Sequence, residues 1–188
     1  MTDDCRLIRL VGPGGAGKTT TGAALARRLG IGFVDLDWQF ATKHGDISEY
    51  LDVHGYEAYA TQSVRIYSDV IGTVAEPVVL ALSSGFMTYT NDVHPDFARL
   101  RQEIAVSPTT LVLLPSLDYE TCVAETVRRQ LGRPFSRSAE REEQVARARF
   151  SVYRDLPAKK VETLRPVDEV VEAVLASLLA DPPTGTSD

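Results

Sequence analysis

Residues 12–19, Gly-Pro-Gly-Gly-Ala-Gly-Lys-Thr, constrain the fold more than any other stretch of this chain. Glycines at 12, 14, 15 and 17 let the backbone curl until several N–H groups point at one centre, and such a nest of amides binds anions. Gly, four residues, then Gly-Lys-Thr is the spacing of a P-loop. Lys18 can reach the outer phosphates of a nucleotide, and the Thr19 hydroxyl can ligate Mg²⁺. The flanks supply the context the motif needs. Arg6–Val11 is an apolar run of strand length, and Thr20–Leu29 places Ala23, Ala24, Leu25 and Leu29 on one helical face. The helix then turns its positive end toward the same anion.

The rest of the chain alternates strand and helix. Strands are expected at Gly32–Leu36, Pro77–Leu82, Thr109–Leu114 and Lys159–Thr163. Helices are expected at Ile47–Val53, Glu57–Val74, Pro95–Ile104, Asp118–Leu131 with Asp118 as N-cap, Ala139–Leu156 and Pro166–Leu179. Pro77–Leu82 is apolar throughout, as a strand covered on both faces would be. Repeated βα units imply an α/β fold: a three-layer, doubly wound, parallel five-stranded sheet of the P-loop NTPase type. Residues 1–180 read as a single domain and 181–188 as a disordered polar tail. Ligands of such sheets sit beyond the carboxyl ends of the strands. That rule gathers the P-loop, Asp35 and Asp37, and Ser83-Ser84-Gly85. Two acids at i,i+2 on a strand point to the same side, which would turn both into the site. The lesser reading of Asp35 is the cap of a following helix. Trp38 reads most simply as core.

Net charge is −6, and this argues against a nucleic-acid partner. The acidity is uneven. Arg128, Arg129, Arg133, Arg137, Arg141, Arg147 and Arg149 face only Glu140, Glu142 and Glu143 between residues 128 and 149. A basic segment on an acidic protein points to a local anion site, with Arg141 and Arg147 also readable as partners of nearby glutamates on a solvated helix. No apolar run has the length of a membrane span, and the acidic Met1-Thr2-Asp3-Asp4 has no signal-peptide character, so a cytoplasmic protein without a membrane partner is expected. Cys5 and Cys122 form no ligand pattern and read as reduced thiols.

Taken in order, the P-loop, Phe33-Val34-Asp35-Leu36-Asp37, Ser83-Ser84-Gly85, Arg128-Arg129, Gly132-Arg133-Pro134-Phe135 and Arg149-Phe150-Ser151-Val152-Tyr153 resemble the shikimate kinase family. The resemblance runs from about Leu7 to Leu179 and rests chiefly on Asp-x-Asp, the Arg-Pro lid and Arg-x-x-x-Tyr. It implies an ATP-dependent kinase that moves the γ-phosphate to the hydroxyl of a small-molecule alcohol, with Mg²⁺ as cofactor, in a monomer or weak homodimer. The implied roles are as follows. Gly14, Gly15, Ala16, Gly17, Lys18, Thr19 and Thr20 cradle the phosphates, with Thr19 and Asp35 at the metal. Asp37 contacts the acceptor hydroxyl and takes its proton. Arg133 closes on the γ-phosphate from a mobile, arginine-rich lid at about 130–140. Arg129 and Pro166 flank the adenine. Ser83, Ser84, Gly85 and Arg149 face the acceptor, with Arg149 on its carboxylate.

Two departures fall on the acceptor side. The family carries three successive glycines where this chain has Ser83-Ser84-Gly85, and a Phe-Arg pair where it has Tyr59-Ala60. The arginine of that pair grips the carboxylate, and Arg65 is the nearest substitute in sequence. A different acceptor, such as a natural product or antibiotic alcohol, and a regulatory NTPase without a small acceptor therefore stand as alternatives.

Overall fold

The computed structural model describes residues 7–132 and 138–180. Successive residues of β1 (Leu7–Val11) point to opposite faces, and both faces are covered. Leu7 and Val11 enter one hydrophobic cluster, and Leu10 enters the other with Ile8 packed against it. The same alternation runs through β3 (Val78–Ala81) and β4 (Thr110–Leu114), whose residues are all buried. With β2 (Gly32–Asp35) and β5 (Lys159–Glu162) they form one sheet in the order β2-β3-β1-β4-β5. Every pairing is parallel, with Leu10 opposite Ala81 and Leu111. β1 is thus the middle strand, and its carboxyl end delivers the P-loop to the middle of the sheet's rim.

Helices fill both outer layers. α1 (Lys18–Leu29) and α7 (Val167–Leu179) bury Leu25, Ala26, Val170, Val171 and Val174 against one face. The thicker layer holds α2 (Leu36–His44), α3 (Ile47–Thr73), α4 (Phe97–Val106), α5 (Tyr119–Leu131) and α6 (Ala139–Arg154). Its core is aromatic: Phe40, Tyr67, Phe86, Phe97 and Tyr153 are almost fully buried. Each such side chain contributes about 1.5–3 kcal/mol through burial. α3 breaks at Gly55, whose backbone stands at φ 79° and ψ 171°, so the two helical stretches expected from the sequence are two arms of one kinked element. Asp118 caps α5 by accepting from Thr121 N, as the sequence predicts.

Two expectations are corrected. β2 ends at Asp35, and α2 begins at once, so Asp37 lies in the first turn of a helix and not on a strand. Trp38 is not core; it is 66% exposed. α2 buries Leu36 and Phe40, four residues apart, and the residue midway between them projects to the far side. Arg133 and the central lid residues 133–137, the tail 181–188 and Cys5 lie outside the described residues.

Candidate active site

The P-loop turns at Gly12, which stands at φ 153° and passes so close to β4 that a Cβ there would lie 2.3 Å from the Leu113 carbonyl oxygen. Only a residue without a side chain fits that approach. Ala16 is fully buried beneath the loop, and its amide is already donated to the Pro13 carbonyl. Lys18 opens α1 and folds back under the loop, its Nζ donating to the Gly12 carbonyl at 2.7 Å and the Pro13 carbonyl at 2.9 Å. Thr20 is exposed beside it.

The end of β2 meets the start of α1. Thr19 Oγ1 donates to Asp35 Oδ2 at 2.6 Å, while Asp35 Oδ1 accepts from the amides of Asp37 and Trp38 at 3.0 and 3.2 Å. Both sequence readings of Asp35 are therefore realised in one carboxylate: one oxygen caps α2 and the other faces the P-loop helix. The cap is what swings Asp37 into the cleft, a job the sequence reading gave to strand pleating. Thr19 and Asp35 offer hard oxygen donors side by side, a set that suits Mg²⁺ completed by phosphate oxygens and water.

A narrow cleft of about 80 Å³ runs between Gly14, Lys18, Thr19, Asp35, Asp37, Ser84 and Gln130. It joins residues from the P-loop, β2, α2, the end of β3 and α5. A second cleft of about 260 Å³ lies beyond the loop, lined by Gly15, Gly17, Thr20, Arg129, Thr163, Arg165 and Val167. Pro166, exposed at the start of α7, sits between two of these lining residues. Arg129 is half-buried and ties this corner together. It donates to the Gly15 carbonyl at 3.0 Å and the Thr163 carbonyl at 3.0 Å, and pairs with Glu125 at 2.6 Å. Hydrogen bonds from Arg128 and from Arg129 hold the Glu125 carboxyl down to about 2.

α3, the turn after β3, and α6 meet around Ser84, which lines the narrow cleft. Arg149 Nη1 donates to Ser84 Oγ at 3.1 Å, and its Nη2 to the Tyr56 hydroxyl at 3.4 Å. Among the described residues no carboxylate pairs with Arg149, whereas Arg147, two residues earlier, is held by Glu143 and Glu120 as a solvated helix arginine would be. The Tyr153 hydroxyl donates to the Ser84 carbonyl at 2.9 Å, and the ring is fully buried, so Tyr153 is packing. Ser83 is buried behind Ser84, and Gly85 lies so near Arg149 and Tyr56 that a Cβ would crowd both. Ala60 is buried, and Arg65 is exposed roughly 240° around the helix from Tyr59. Neither supplies a second cation to this wall.

Sequence reasoning passed over Gln130, Thr163 and Tyr56. Thr163 directly follows β5, so the strand-end rule could have found it. Gln130 and Tyr56 carry no signal beyond their place next to the lid and the helix break.

A model of the shikimate kinase family matches residues 14–179. The chain belongs to the shikimate kinase family. The shikimate kinase of Histophilus somni (strain 2336) is 28% identical over 177 residues, 94% of each chain. A structure of shikimate kinase from Acinetobacter baumannii in complex with shikimate superposes with a TM-score of 0.71 at 25% identity, covering 93% of this chain and 96% of that one. The shikimate kinase of Bacteroides thetaiotaomicron has a TM-score of 0.70 at 21% identity, over 92% of this chain and 97% of that one, and shows the shared fold. The protein is an ATP-using small-molecule kinase, a phosphotransferase acting on a hydroxyl acceptor. Among the described residues no helix is long and apolar enough to cross a membrane.

Proposed function

We propose that this kinase transfers the γ-phosphoryl group of Mg-ATP to one hydroxyl of a small cyclic alcohol whose anionic end meets Arg149, with shikimate as the first acceptor to test. One observation carries the reading: Lys18, Thr19, Asp37 and Ser84 line a single narrow cleft. Phosphoryl transfer asks for alignment and positive charge more than covalent chemistry. Lys18 and the backbone amides of the P-loop hold the phosphates, and Lys18 trades its bonds to Gly12 and Pro13 for phosphate oxygens. Thr19 and Asp35 hold Mg²⁺, which supplies charge neutralisation when bound. As the acceptor oxygen bonds to the γ-phosphorus and the bond to the β-phosphate oxygen breaks, the acceptor's proton passes to Asp37. Arg133 approaches the γ-phosphate from the lid at about 130–140. Arg129 and Pro166 flank the base in the second cleft. Ser83, Ser84, Gly85 and Arg149 form the acceptor wall. The working unit is residues 1–180 as a cytoplasmic monomer or weak homodimer, with 181–188 a polar tail outside it.

The Arg149 guanidinium supports an anionic acceptor, because it is half-buried and, among the described residues, hydrogen-bonds only to neutral hydroxyls. A second reading, a bulkier and less anionic natural-product alcohol, is favoured by Ala60 and by the exposure of Trp38 and Tyr56 on the elements that carry Asp37 and Tyr59. ADP release measured with shikimate and with a panel of neutral cyclic alcohols separates the two. Turnover of shikimate at sub-millimolar concentration supports the first. Turnover confined to neutral alcohols supports the second, and ADP release that no alcohol stimulates defeats both.

A further inference from the structure

Asp37 is held from outside its own helix. The Tyr59 hydroxyl, on α3, donates to Asp37 Oδ1 at 3.1 Å. Tyr59 is 7% exposed, and its ring is clamped between Phe40 at 4.8 Å and Tyr56 at 6.1 Å. Packing therefore fixes where its oxygen stands. Burial, and then the charge of Asp37, push the Tyr59 hydroxyl far above its ordinary range, so it keeps its proton and stays a donor. The Ser83 and Ser63 hydroxyls work against that shift without reversing it. Neither of them, nor the buried Tyr89 hydroxyl, reaches hydrogen-bonding geometry with a described side chain or backbone group of its own. Tyr59 thus spends its one proton on Asp37, and its lone pairs remain available to the serines behind it.

The consequence for Asp37 is geometric. A carboxylate in the first turn of a helix can rotate about χ1 and χ2, and a free one would sample several positions in the cleft. A donor on Oδ1 from a rigid ring selects one of them and leaves Oδ2 to face the reacting hydroxyl. We propose that Tyr59 is a positioning residue: it locks the Asp37 carboxylate in the rotamer that receives the acceptor's proton at Oδ2, while keeping its own proton throughout. The proposal rests on the reading of Asp37 as the general base. It also gives the Tyr59-Ala60 departure a chemical sense, since the wall loses a cation and gains a donor aimed at the base.

Tyr59→Phe tests this, because it removes one hydroxyl and keeps the ring that packs on Phe40. With shikimate and Mg-ATP, kcat should fall about tenfold, the loss expected of a mis-set catalytic group, with the KM for ATP and the melting temperature unchanged. A crystal structure of Tyr59→Phe should find Asp37 in more than one rotamer where the wild type has one, whatever the acceptor. An Asp37 that keeps its single rotamer in that variant overturns the proposal, as does a loss of kcat matched by a loss of thermal stability. Asp37→Asn separates the two levels. If Asp37→Asn works at wild-type rate, the base assignment falls and takes this inference with it. If Asp37→Asn is dead while Tyr59→Phe turns over normally, only the role of Tyr59 falls.

Discussion

Replacing Gly85 by alanine probes the proposed acceptor wall at Tyr56 and Arg149 without touching the P-loop. Gly85 stands at φ −99° and ψ −7°, where any residue is at ease, so backbone strain does not enter. Space does. The new Cβ would lie 2.5 Å from the Tyr56 hydroxyl, 2.9 Å from Arg149 Nη2 and 3.2 Å from a ring carbon of Tyr89. Comfortable contact begins near about 3.5 Å, so the hydroxyl must withdraw by about 1 Å and the guanidinium by about 0.6 Å. The two closest groups are the ends of side chains, and the fold can absorb the change with a melting-temperature shift within about 3 °C. The bonds from Arg149 to Ser84 at 3.1 Å and to Tyr56 at 3.4 Å cannot absorb it. If Arg149 grips an anionic acceptor, the displaced guanidinium forfeits up to one charge-assisted bond, about 1.5–3 kcal/mol. That corresponds to a rise of about tenfold to 150-fold in acceptor KM. Initial rates of ADP release with shikimate varied at saturating Mg-ATP, alongside thermal melts, measure both quantities. An unchanged acceptor KM in a variant that melts normally would refute the placement of Arg149 at the acceptor.

Lys18→Ala should lower turnover by about 1,000-fold, the scale of losing a preorganised charge in a closed site, and turnover within tenfold of wild type would break the phosphate assignment. Gly12→Ala forces a Cβ to 2.3 Å from the backbone oxygen of Leu113 at φ 153°, and neither partner can step aside; calorimetric melting should drop by about 5–12 °C, and an unshifted melt would show that the loop does not press on β4 as described. Glu125 makes a prediction about acid. Its folded value of about 2 lies below its ordinary 4.5, so its stabilisation is complete above pH 4.5 and fades as pH falls toward 2. Melting temperature followed from pH 6 down to about 2 should fall more gently for Glu125→Gln than for wild type, and parallel curves would contradict the pairing with Arg128 and Arg129.

The parts of the fold that were legible before the structure are those with one dominant physical demand. β3 and β4 are apolar at nearly every position because both faces of a central parallel strand are covered, and the P-loop's glycines and lysine fall at the fixed spacing that phosphate binding demands. The end of β2 was misread because Asp35 serves two elements at once. It closes a strand and caps α2 with no intervening loop, so no turn residue announces the helix, and Asp37 takes its direction from a helical turn. Trp38 followed from the same error: its neighbours Leu36 and Phe40 make the buried stripe, visible only once α2 is known to be helical. The cluster around Arg149 was hardest to read. Tyr56, Tyr59, Ser84 and Arg149 come from three separated segments, and nothing local in any of them states that their hydroxyls and guanidinium meet. The family resemblance drew attention to Tyr59-Ala60 as a loss of arginine, but the bond to Asp37 emerges only from the packing of α3 on α2.

The break at Gly55 divides α3 unequally. Every buried residue of that helix comes after it, beginning at Tyr59, and the arm before it lends the interior only the partly covered Ile47, Tyr50 and Leu51. An outer arm so lightly invested in the interior can be altered at small cost to folding, and the break that ends it directly precedes Tyr56, the partner of Arg149. On the proposed reading of Arg149 as an acceptor contact, a library confined to residues 47–56 changes the surroundings of Tyr56 while leaving the P-loop alone, and it is where laboratory evolution of new acceptors should begin.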